Sequence, residues 1–368
     1  MLTSLRIQNF RSIRDASVKL GQVNLFIGPN NSGKSNFLKG IELLGEIITE
    51  HPNEVNFTES EFYRLITRSK DILNEKIASL NFEFRFRSLK NQEDFTSKVS
   101  FSNTTNNRSQ LEITSPQSIS INRGPISTTH SSGELLPMMS SIRALFHRTK
   151  RYHPDPTKFS RRTKPSYEFD LTSNGSNLVS FLFNISQSYG NEFEALLIDF
   201  RACIRNLVRI STPPDPESNG YIKLKFFDKN NIDFWAEEVS EGVLYFLALL
   251  CIVHQPNPPR LLLLEEPEKG IHPRRIKEVM DFIFELAQLR DIQIILTSHS
   301  PYVVDYFADI PECISVFDRE NGETVIRNAG DLINETNERL VAEGKKPIRY
   351  TDSLGEHWVS GFLGGVPA

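Results

Sequence analysis

The sequence predicts an α/β protein that combines a mixed, largely parallel sheet with an antiparallel β subdomain and a helical insertion. From Glu237 onward, continuous apolar stretches alternate with amphipathic ones, which is typical of buried parallel strands separated by helices. Residues 77–122 instead alternate polar and apolar side chains with a period of two, which predicts antiparallel strands with one solvated face. Between these regions, residues 177–208 carry apolar side chains at helical spacing.

The composition limits the classes of protein that fit. The chain has 368 residues, of which 39% are hydrophobic, enough for one large domain or two smaller ones. The formal net charge of −4 excludes the overall basic field of many nucleic-acid-binding proteins, although a local basic patch remains open. Three cysteines without a CxxC pair argue against a zinc site or a disulfide framework and favour a reducing, cytoplasmic setting. No apolar stretch is long enough to cross a bilayer, so no membrane contact is expected.

Five segments follow from these patterns. We expect the N-terminal part of the core at 1–75, the antiparallel subdomain at 76–125, a basic and helical insertion at 126–220, the C-terminal part of the core at 221–330 and a tail at 331–368. Within the first segment, strands are predicted at 2–10, 16–20 and 22–28. A helix follows the glycine-rich turn, and another is predicted at 57–75.

The glycine-rich turn GPNNSGKS, Gly28–Ser35, matches G-x-x-x-x-G-K-[ST] and lies between a predicted strand and a predicted helix. Gly28 and Gly33 permit backbone conformations that side chains would block. Backbone N–H groups and the helix N-terminus then surround phosphate oxygens. Lys34 would reach the β- and γ-phosphates, and Ser35 would offer its hydroxyl to Mg²⁺. The alternative is a chance turn with an exposed lysine. The residues predicted to bind nucleotide here are Gly28, Asn30, Asn31, Ser32, Gly33, Lys34, Ser35 and Asn36.

Two adjacent acids, Glu265 and Glu266, directly follow four leucines that read as a buried strand. Burying an unpaired charge is costly. The C-terminal ends of parallel strands form the edge where open α/β sheets bind ligands, and Mg²⁺ held with Ser35 would supply the positive charge. We therefore expect Glu265 to hold Mg²⁺ through its hydration shell. Glu266 would orient and deprotonate the attacking water.

Two further motifs lie near predicted strand and helix ends. In IILTSHSP, His299 follows another buried strand, where an imidazole can contact the γ-phosphate or the attacking water. A structural histidine is the alternative. In VSEG, Val239–Gly242, Ser240 is expected to cap a long apolar helix whose N-terminus is another anion site. The alternative is a helix start without any further role.

With these four motifs in this order, the chain resembles the ABC-type ATPases, and more narrowly the RecF/SMC/OLD-like group of AAA family ATPases. The resemblance rests on LRIQNFRSIRDASVKLGQVNLFIGPNNSGKSNFL (opening and Walker A), VSEG (signature), EEPEKGIHP (Walker B and D-loop) and SHSP (H-loop). It implies an ABC-type P-loop ATPase head that hydrolyses ATP with Mg²⁺. It also implies a homodimer in which Lys34 of one subunit, and Ser240 with Gly242 of the other, enclose each ATP. Walker B usually ends in Asp-Glu, and the signature here lacks a second glycine and a glutamine.

The function that this resemblance implies is an ATP-dependent switch that responds to nucleic acid or protein and controls an effector, in bacterial anti-phage defence or DNA maintenance. The segment Arg143–Lys164 contains eight Lys or Arg and one acid, with Phe146, Tyr152 and Phe159 between them. Such a segment can contact DNA or RNA through phosphates and stacked bases. A solvated loop and a protein-binding surface are the alternatives.

The tail sequence GEHWVSGFLGGVPA resembles that of short family members encoded beside a TOPRIM-like partner, which suggests docking of a nuclease or other effector. A disordered end is the alternative. The competing function is the nucleotide-binding subunit of a membrane transporter, which the shortened signature and the EEPE sequence disfavour. A third hypothesis is a structural switch that does not hydrolyse ATP, and the presence of Glu266 argues against it.

Overall fold

The computed structural model describes residues 1–49, 79–87, 94–103, 109–115, 119–123, 135–204, 206–269 and 271–366. The chain forms two compact units, one of Met1–Thr149 with Gln293–Ala368 and one of Lys150–Ile292. The Walker A and H-loop motifs therefore belong to the first unit, and the signature and Walker B motifs belong to the second. The helix predicted at 57–75 lies outside the described residues.

The first unit contains an antiparallel sheet with the strand order β2-β1-β4-β5-β6-β7. Its strands are β1 (Leu2–Phe10), β2 (Ile13–Lys19), β4 (Ser79–Arg87), β5 (Asp94–Asn103), β6 (Ser109–Ser115) and β7 (Ile119–Arg123). The predicted antiparallel arrangement is confirmed. The sheet is larger than expected, since Leu5 of β1 pairs with Phe84 of β4. The N-terminal strands thus share a sheet with the predicted subdomain.

A second group of strands in this unit carries the glycine-rich loop. These strands are β3 (Val23–Ile27), β13 (Gln293–Thr297), β14 (Ile314–Glu320) and β15 (Glu323–Asn328). Both β13 and β14 pair with β3 in parallel, and β15 pairs with β14 in antiparallel. All residues of β3 and β13 are buried, which explains why most of their side chains are apolar. The C-terminal ends of three parallel strands therefore meet at one edge.

In the part of the first unit that the structure describes, the helices are α1 (Lys34–Thr49), α2 (Leu135–Phe146), α8 (Pro301–Tyr306), α9 (Ala329–Ala342) and α10 (Leu354–Val359). Helix α1 buries Phe37, Leu38, Ile41 and Leu44 along one face, at the predicted helical spacing. The segment expected to be a polar tail instead contains α9 and α10. Within it, Leu354 and Trp358 are almost completely buried.

The described residues of the second unit include a pair of parallel strands, an antiparallel sheet and five helices. Its strands are β8 (Arg151–Tyr152), β9 (Leu207–Ser211), β10 (Lys225–Asp228), β11 (Asp233–Trp235) and β12 (Leu261–Glu265). Its helices are α3 (Pro156–Phe159), α4 (Leu178–Ser188), α5 (Gly190–Cys203), α6 (Glu241–Val253) and α7 (Ile276–Leu289). Strand β12 pairs with β8 in parallel, and β9, β10 and β11 form an antiparallel sheet.

Helix α6 is buried along its whole length after Glu241, as expected for a helix that is apolar on all sides. The β-strand β9 includes Leu207 and Val208, which the sequence pattern had placed at the end of a helix. Pairing of β9 with β10 outweighs the local helical pattern there. Among the helices of the described ranges, none is long and apolar enough to cross a membrane.

Candidate nucleotide site

The loop between β3 and α1 forms a cradle that admits only glycine at two positions. Gly28 and Gly33 have φ angles of 142° and 112°, which side chains rarely adopt. A Cβ atom on Gly28 would lie 2.1 Å from the carbonyl oxygen of Phe317. A Cβ atom on Gly33 would lie 2.2 Å from Oγ1 of Thr324. The loop backbone is therefore held tightly against β14 and β15.

Two polar side chains are buried in this loop. Ser32 is 1% exposed, and its hydroxyl has no hydrogen-bond partner among the residues that the structure describes. Lys34 is 6% exposed, and its Nζ donates to the carbonyl oxygens of Gly28 (2.7 Å) and Pro29 (3.0 Å). A buried hydroxyl without a partner, a buried ammonium and a helix N-terminus are groups that bind phosphate oxygens. The residues present therefore fit a phosphate group.

The other predicted loop residues differ in their surroundings. Asn30, Asn31 and Ser35 are exposed, and Ser35 lies in the first turn of α1. Asn36 instead donates from Nδ2 to the Ser12 hydroxyl at 2.9 Å, so its amide has a partner within the protein. The exposed Ser35 hydroxyl is open to a ligand, which fits its predicted Mg²⁺ role.

His299 lies at the same strand edge as the cradle. The backbone N–H of Ser298 donates to the Phe26 carbonyl at 3.1 Å, which extends the pairing of β13 with β3 by one residue. Ser298 is completely buried, and its hydroxyl accepts from the backbone N–H of Ser300 at 2.9 Å. This turn places the half-buried His299 next to the end of β3, where Gly28 begins the loop. The first unit thus places the SHSP motif and the glycine-rich loop at the same edge of its parallel strands.

In the second unit, Glu265 ends β12 and has a cationic partner within the chain. Nη1 of Arg151 lies 3.3 Å from Oε1 of Glu265, and both side chains are about one-fifth exposed. The parallel pairing of β8 with β12 brings the two residues together across 114 positions of sequence. Sequence reasoning considered only Mg²⁺ as the cation for this acid and missed Arg151. The one signal that pointed to it was its place in the basic segment.

Glu266 has an unusual backbone conformation. Its φ of 46° is positive, which is uncommon for any residue other than glycine. Its carbonyl accepts from the backbone N–H of Lys269 at 3.0 Å, and its Oε2 lies 4.0 Å from Nζ of the same lysine. Such conformations cost about 1–3 kcal/mol and cluster at functional sites. The backbone therefore holds the Cα–Cβ bond of this residue in an uncommon direction at some cost in stability.

The signature residues surround an arginine. Ser240 is the N-cap residue of α6, as predicted, but its side chain makes no capping hydrogen bond. Its hydroxyl instead accepts from Nη1 of Arg275 at 2.8 Å, and Nε of Arg275 donates to Glu278 at 3.1 Å. A Cβ atom on Gly242 would lie 3.1 Å from Nη1 of Arg275. The signature glycine therefore makes room for a guanidinium, a contact that the sequence did not reveal.

Tyr245, one turn further along α6, is electrostatically coupled to the D-loop acid Glu268. The tyrosine is 1% exposed, and its hydroxyl has no hydrogen-bond partner in the described part of the chain. Burial, together with the negative charge of Glu268, raises the pKa of Tyr245 well above its ordinary value. The hydroxyl consequently stays neutral, and the signature helix and the segment after Walker B share one electrostatic environment.

The basic segment exposes cations but not the predicted aromatic rings. Phe146, Tyr152 and Phe159 are at most 3% exposed, so the expectation that they stack on bases is wrong. They are buried because each ring packs into the core while the charged neighbours point to solvent. Arg143, Arg161, Arg162 and Lys164 are exposed.

A different set of aromatic rings lies beside these cations. Side-chain burial alternates from Tyr221 to Phe227. Ile222, Leu224 and Phe226 are buried, and the intervening side chains lie on the opposite face. We call that opposite face the cation–aromatic face, and its residues are Arg162, Lys164, Arg209, Tyr221, Lys223, Lys225, Phe227 and Trp235. Its cations lie 3.5–5.8 Å from ring centroids: Arg162 and Lys164 over Tyr221, Arg209 over Phe227, and Lys223 and Lys225 over Trp235. The alternation in YIKLKFF was the available signal.

No group of three or more His, Cys, Asp or Glu side chains that could hold a metal ion occurs within the described ranges. This is compatible with Mg²⁺, which usually binds through one or two protein carboxylates together with substrate phosphates.

Comparison with known proteins connects this geometry to sequence and structural relatives. The energy-coupling factor transporter ATP-binding protein EcfA2 of Bacillus subtilis (strain 168) is 35% identical over 72 residues, which are 20% of this chain and 25% of that protein. The chain thus spans a quarter of the length of this relative. The Smc head bound to the C-winged helix domain of ScpA aligns with a TM-score of 0.55 at 14% identity, over 89% of this chain and 96% of that one.

The Smc head domain with an extended coiled coil, bound to the C-terminal domain of ScpA and derived from Pyrococcus furiosus, aligns with a TM-score of 0.51 at 12% identity. That alignment covers 92% of this chain and 99% of the other. At these identities the two structures show a shared fold. The family described as "AAA domain, putative AbiEii toxin, Type IV TA system" matches residues 23–305. Because this match covers more than half of the chain, the protein belongs to that AAA domain family, and it shares its fold with the Smc head domains.

Proposed function

We propose that the protein binds ATP with Mg²⁺ and hydrolyses it to ADP and phosphate. The observation that carries this proposal is the cradle. Two of its glycines admit no side chain, and the Ser32 hydroxyl is buried with no partner among the described residues. The buried Lys34 ammonium completes it. When bound, Mg²⁺ would neutralise charge on the β- and γ-phosphates.

The roles of the residues follow from their chemistry. Lys34 exchanges loop carbonyls for β- and γ-phosphate oxygens, and Ser32 donates to the phosphate chain. Ser35 would be one ligand of Mg²⁺ and Glu265 another, and Nη1 of Arg151 lies 3.3 Å from Oε1 of Glu265. Most of the catalysis is positioning and charge stabilisation.

The chemical step requires a base and a group near the γ-phosphate. Glu266 is proposed to accept the proton of the attacking water, and its backbone conformation supports this role because strained conformations of this kind cluster at functional sites. His299 is proposed to contact the γ-phosphate or the water. Its place at the end of β13, beside the end of β3, supports that assignment.

Nucleotide titrations test the cradle. Because the binding groups described above recognise phosphate, ATP and ADP are expected to bind at least about a hundredfold more tightly than adenosine, in the presence of Mg²⁺. Calorimetry or equilibrium dialysis measures this ratio. Equal affinities for ATP and adenosine would show that the cradle does not bind phosphates.

We further propose that the protein is a cytoplasmic, ATP-dependent homodimer whose Ser240 and Gly242 contact the nucleotide of the partner subunit. The exposed Ser240 hydroxyl and the adjacent Arg275 guanidinium support this, since both can donate to phosphate oxygens. The family match and the Smc head fold support a switch that controls an effector, such as a TOPRIM-like nuclease in anti-phage defence. The short match to EcfA2 favours a transporter subunit as the second candidate, and co-purification with a membrane partner would distinguish it.

We also propose that DNA or RNA contacts the cation–aromatic face and the neighbouring end of the basic segment. Replacing Arg161, Arg162 and Lys164 together by Glu is expected to abolish stimulation of the ATPase rate by nucleic acid at low salt, because phosphate contacts depend on these charges. The basal rate should stay unchanged. Replacing Lys345, Lys346 and Arg349 by Glu provides an equal charge change elsewhere as the control. Stimulation that survives the first triple change, or a wild-type rate that nucleic acid leaves unchanged, would refute this contact.

A further inference from the structure

We propose that residues 354–366 position the phosphate-binding loop, so that docking of this segment and binding of nucleotide stabilise each other. We call these residues the C-terminal segment. The proposal rests on the proposed ATP site. It adds to that site a segment that lies outside all of the nucleotide-binding motifs. Gly365 and Trp358 act in it as positioning residues.

The first contact is between Gly365 and the loop itself. A Cβ atom on Gly365 would lie 2.9 Å from the Phe317 carbonyl oxygen and 3.4 Å from Cα of Gly28. The same Phe317 oxygen would be 2.1 Å from a Cβ atom on Gly28. The Phe317 carbonyl, in the middle of β14, is therefore enclosed between the first glycine of the cradle and a glycine of the C-terminal segment.

Hydrogen bonds hold Gly365 in this place. Its backbone N–H donates to Oδ2 of Asp318 at 3.3 Å, and its carbonyl accepts from Nε1 of Trp358 at 3.2 Å. Trp358 is 1% exposed and Leu363 is 3% exposed, so the segment is anchored by buried apolar side chains as well. Movement of Gly365 away from Gly28 would expose this tryptophan and break both hydrogen bonds.

The second contact is with the helix that follows His299. The backbone N–H of Gly355 donates to Oδ1 of Asp305 at 2.7 Å. A Cβ atom on Gly355 would lie 2.3 Å from the carbonyl oxygen of Pro301, the first residue of α8. One continuous segment thus packs against the cradle and against the helix next to His299, the two parts of the first unit that are proposed to meet the phosphates.

The energetic consequence follows from linkage. If docking of the C-terminal segment fixes the cradle in its binding conformation, nucleotide binding must strengthen docking by the same factor. Undocking removes Gly365 from one side of Gly28, so the loop can adopt more conformations. The fraction of molecules whose loop is ready to bind nucleotide is then lower.

The chain offers a matched pair of variants that tests this. Gly364 and Gly365 are adjacent, with φ of 71° and 62°, so alanine introduces similar backbone strain at both. A Cβ atom on Gly364 has Asp318 Oδ2 as its nearest neighbour, at 3.9 Å, and touches nothing in the cradle. Gly365→Ala should weaken ATP binding about tenfold relative to Gly364→Ala, which corresponds to about 1.4 kcal/mol. KM should rise by a similar factor, with little change in kcat.

Hydrogen exchange of the wild-type protein provides a measurement that does not depend on either variant folding. Backbone amides of residues 354–366 should exchange more slowly with Mg²⁺ and ATP than without nucleotide. Equal ATP affinities of the two variants, or exchange in this segment that ATP leaves unchanged, would overturn the proposal. Failure of the wild-type protein to bind ATP would instead refute the proposed function, so the two failures are distinguishable.

Discussion

Glu266→Gln is expected to bind ATP with nearly unchanged affinity and to release phosphate at least about a hundredfold more slowly than the wild-type protein. General-base catalysis contributes about 10²–10⁴-fold to rates, and the amide of glutamine cannot accept the proton of the attacking water. Glutamine has almost the same shape as glutamate, so the positive φ of this position imposes a similar strain on both.

A second readout is the association state. If hydrolysis reopens an ATP-bound dimer, Glu266→Gln should accumulate as dimer in the presence of ATP, measured by light scattering. Glu285→Gln is the matched control, because Glu285 is an exposed carboxylate on α7 of the same unit. Wild-type turnover in Glu266→Gln would show that the general-base assignment is wrong.

Lys34→Ala is expected to weaken ATP binding by about a hundredfold or more, equivalent to about 2.8 kcal/mol. Nζ of Lys34 is the buried cation of the cradle, and hydrogen bonds from charged groups are worth about 1.5–3 kcal/mol each. The change removes the charge-assisted hydrogen bonds to phosphate and leaves the backbone of the loop in place.

The control for this variant is Lys345→Ala in the same unit. Nζ of Lys345 forms an exposed ion pair with Glu343, a class of contact worth at most about 1 kcal/mol. Thermal unfolding without nucleotide shows whether Lys34→Ala remains folded, since it also removes the donor from the Gly28 and Pro29 carbonyls. A folded Lys34→Ala protein that binds ATP like the wild type would contradict the phosphate role of Lys34.

The cradle could be predicted from the sequence because its requirements are local. Gly28 and Gly33 are separated by five positions, and the buried strand before them and the helix after them follow from unbroken and periodic apolar patterns. The predictions of the fold class and of the family, which depend on the same local patterns, are confirmed.

The contacts that sequence reasoning missed join residues far apart in the chain. Arg151 meets Glu265 across 114 positions, and Arg275 meets Ser240 across 35 positions. Tertiary packing alone sets such contacts, and no local pattern encodes them. The sequence suggested an external partner for the C-terminal segment and did not reveal its packing against the cradle, because α10 has six residues, too few for a helical period to stand out.

The error with the aromatic rings of the basic segment has another cause. Charged neighbours suggested a solvent-facing stretch, yet Phe146 and Phe159 turn into the core. A mixed segment of this kind has no reliable period, so the sequence does not separate buried rings from exposed ones. The alternation around Lys223 and Lys225 is regular by contrast, and the structure buries every second side chain there: Ile222, Leu224 and Phe226.

Phosphate release by the wild-type protein from ATP is the most direct test of the central claim that this cradle serves ATP hydrolysis. The account predicts steady release of phosphate with ADP as the other product in Mg²⁺, and its loss when EDTA removes the metal. It also predicts no release above background by Lys34→Ala. Release that is absent in Mg²⁺, or that persists at the wild-type rate in Lys34→Ala, would contradict the claim.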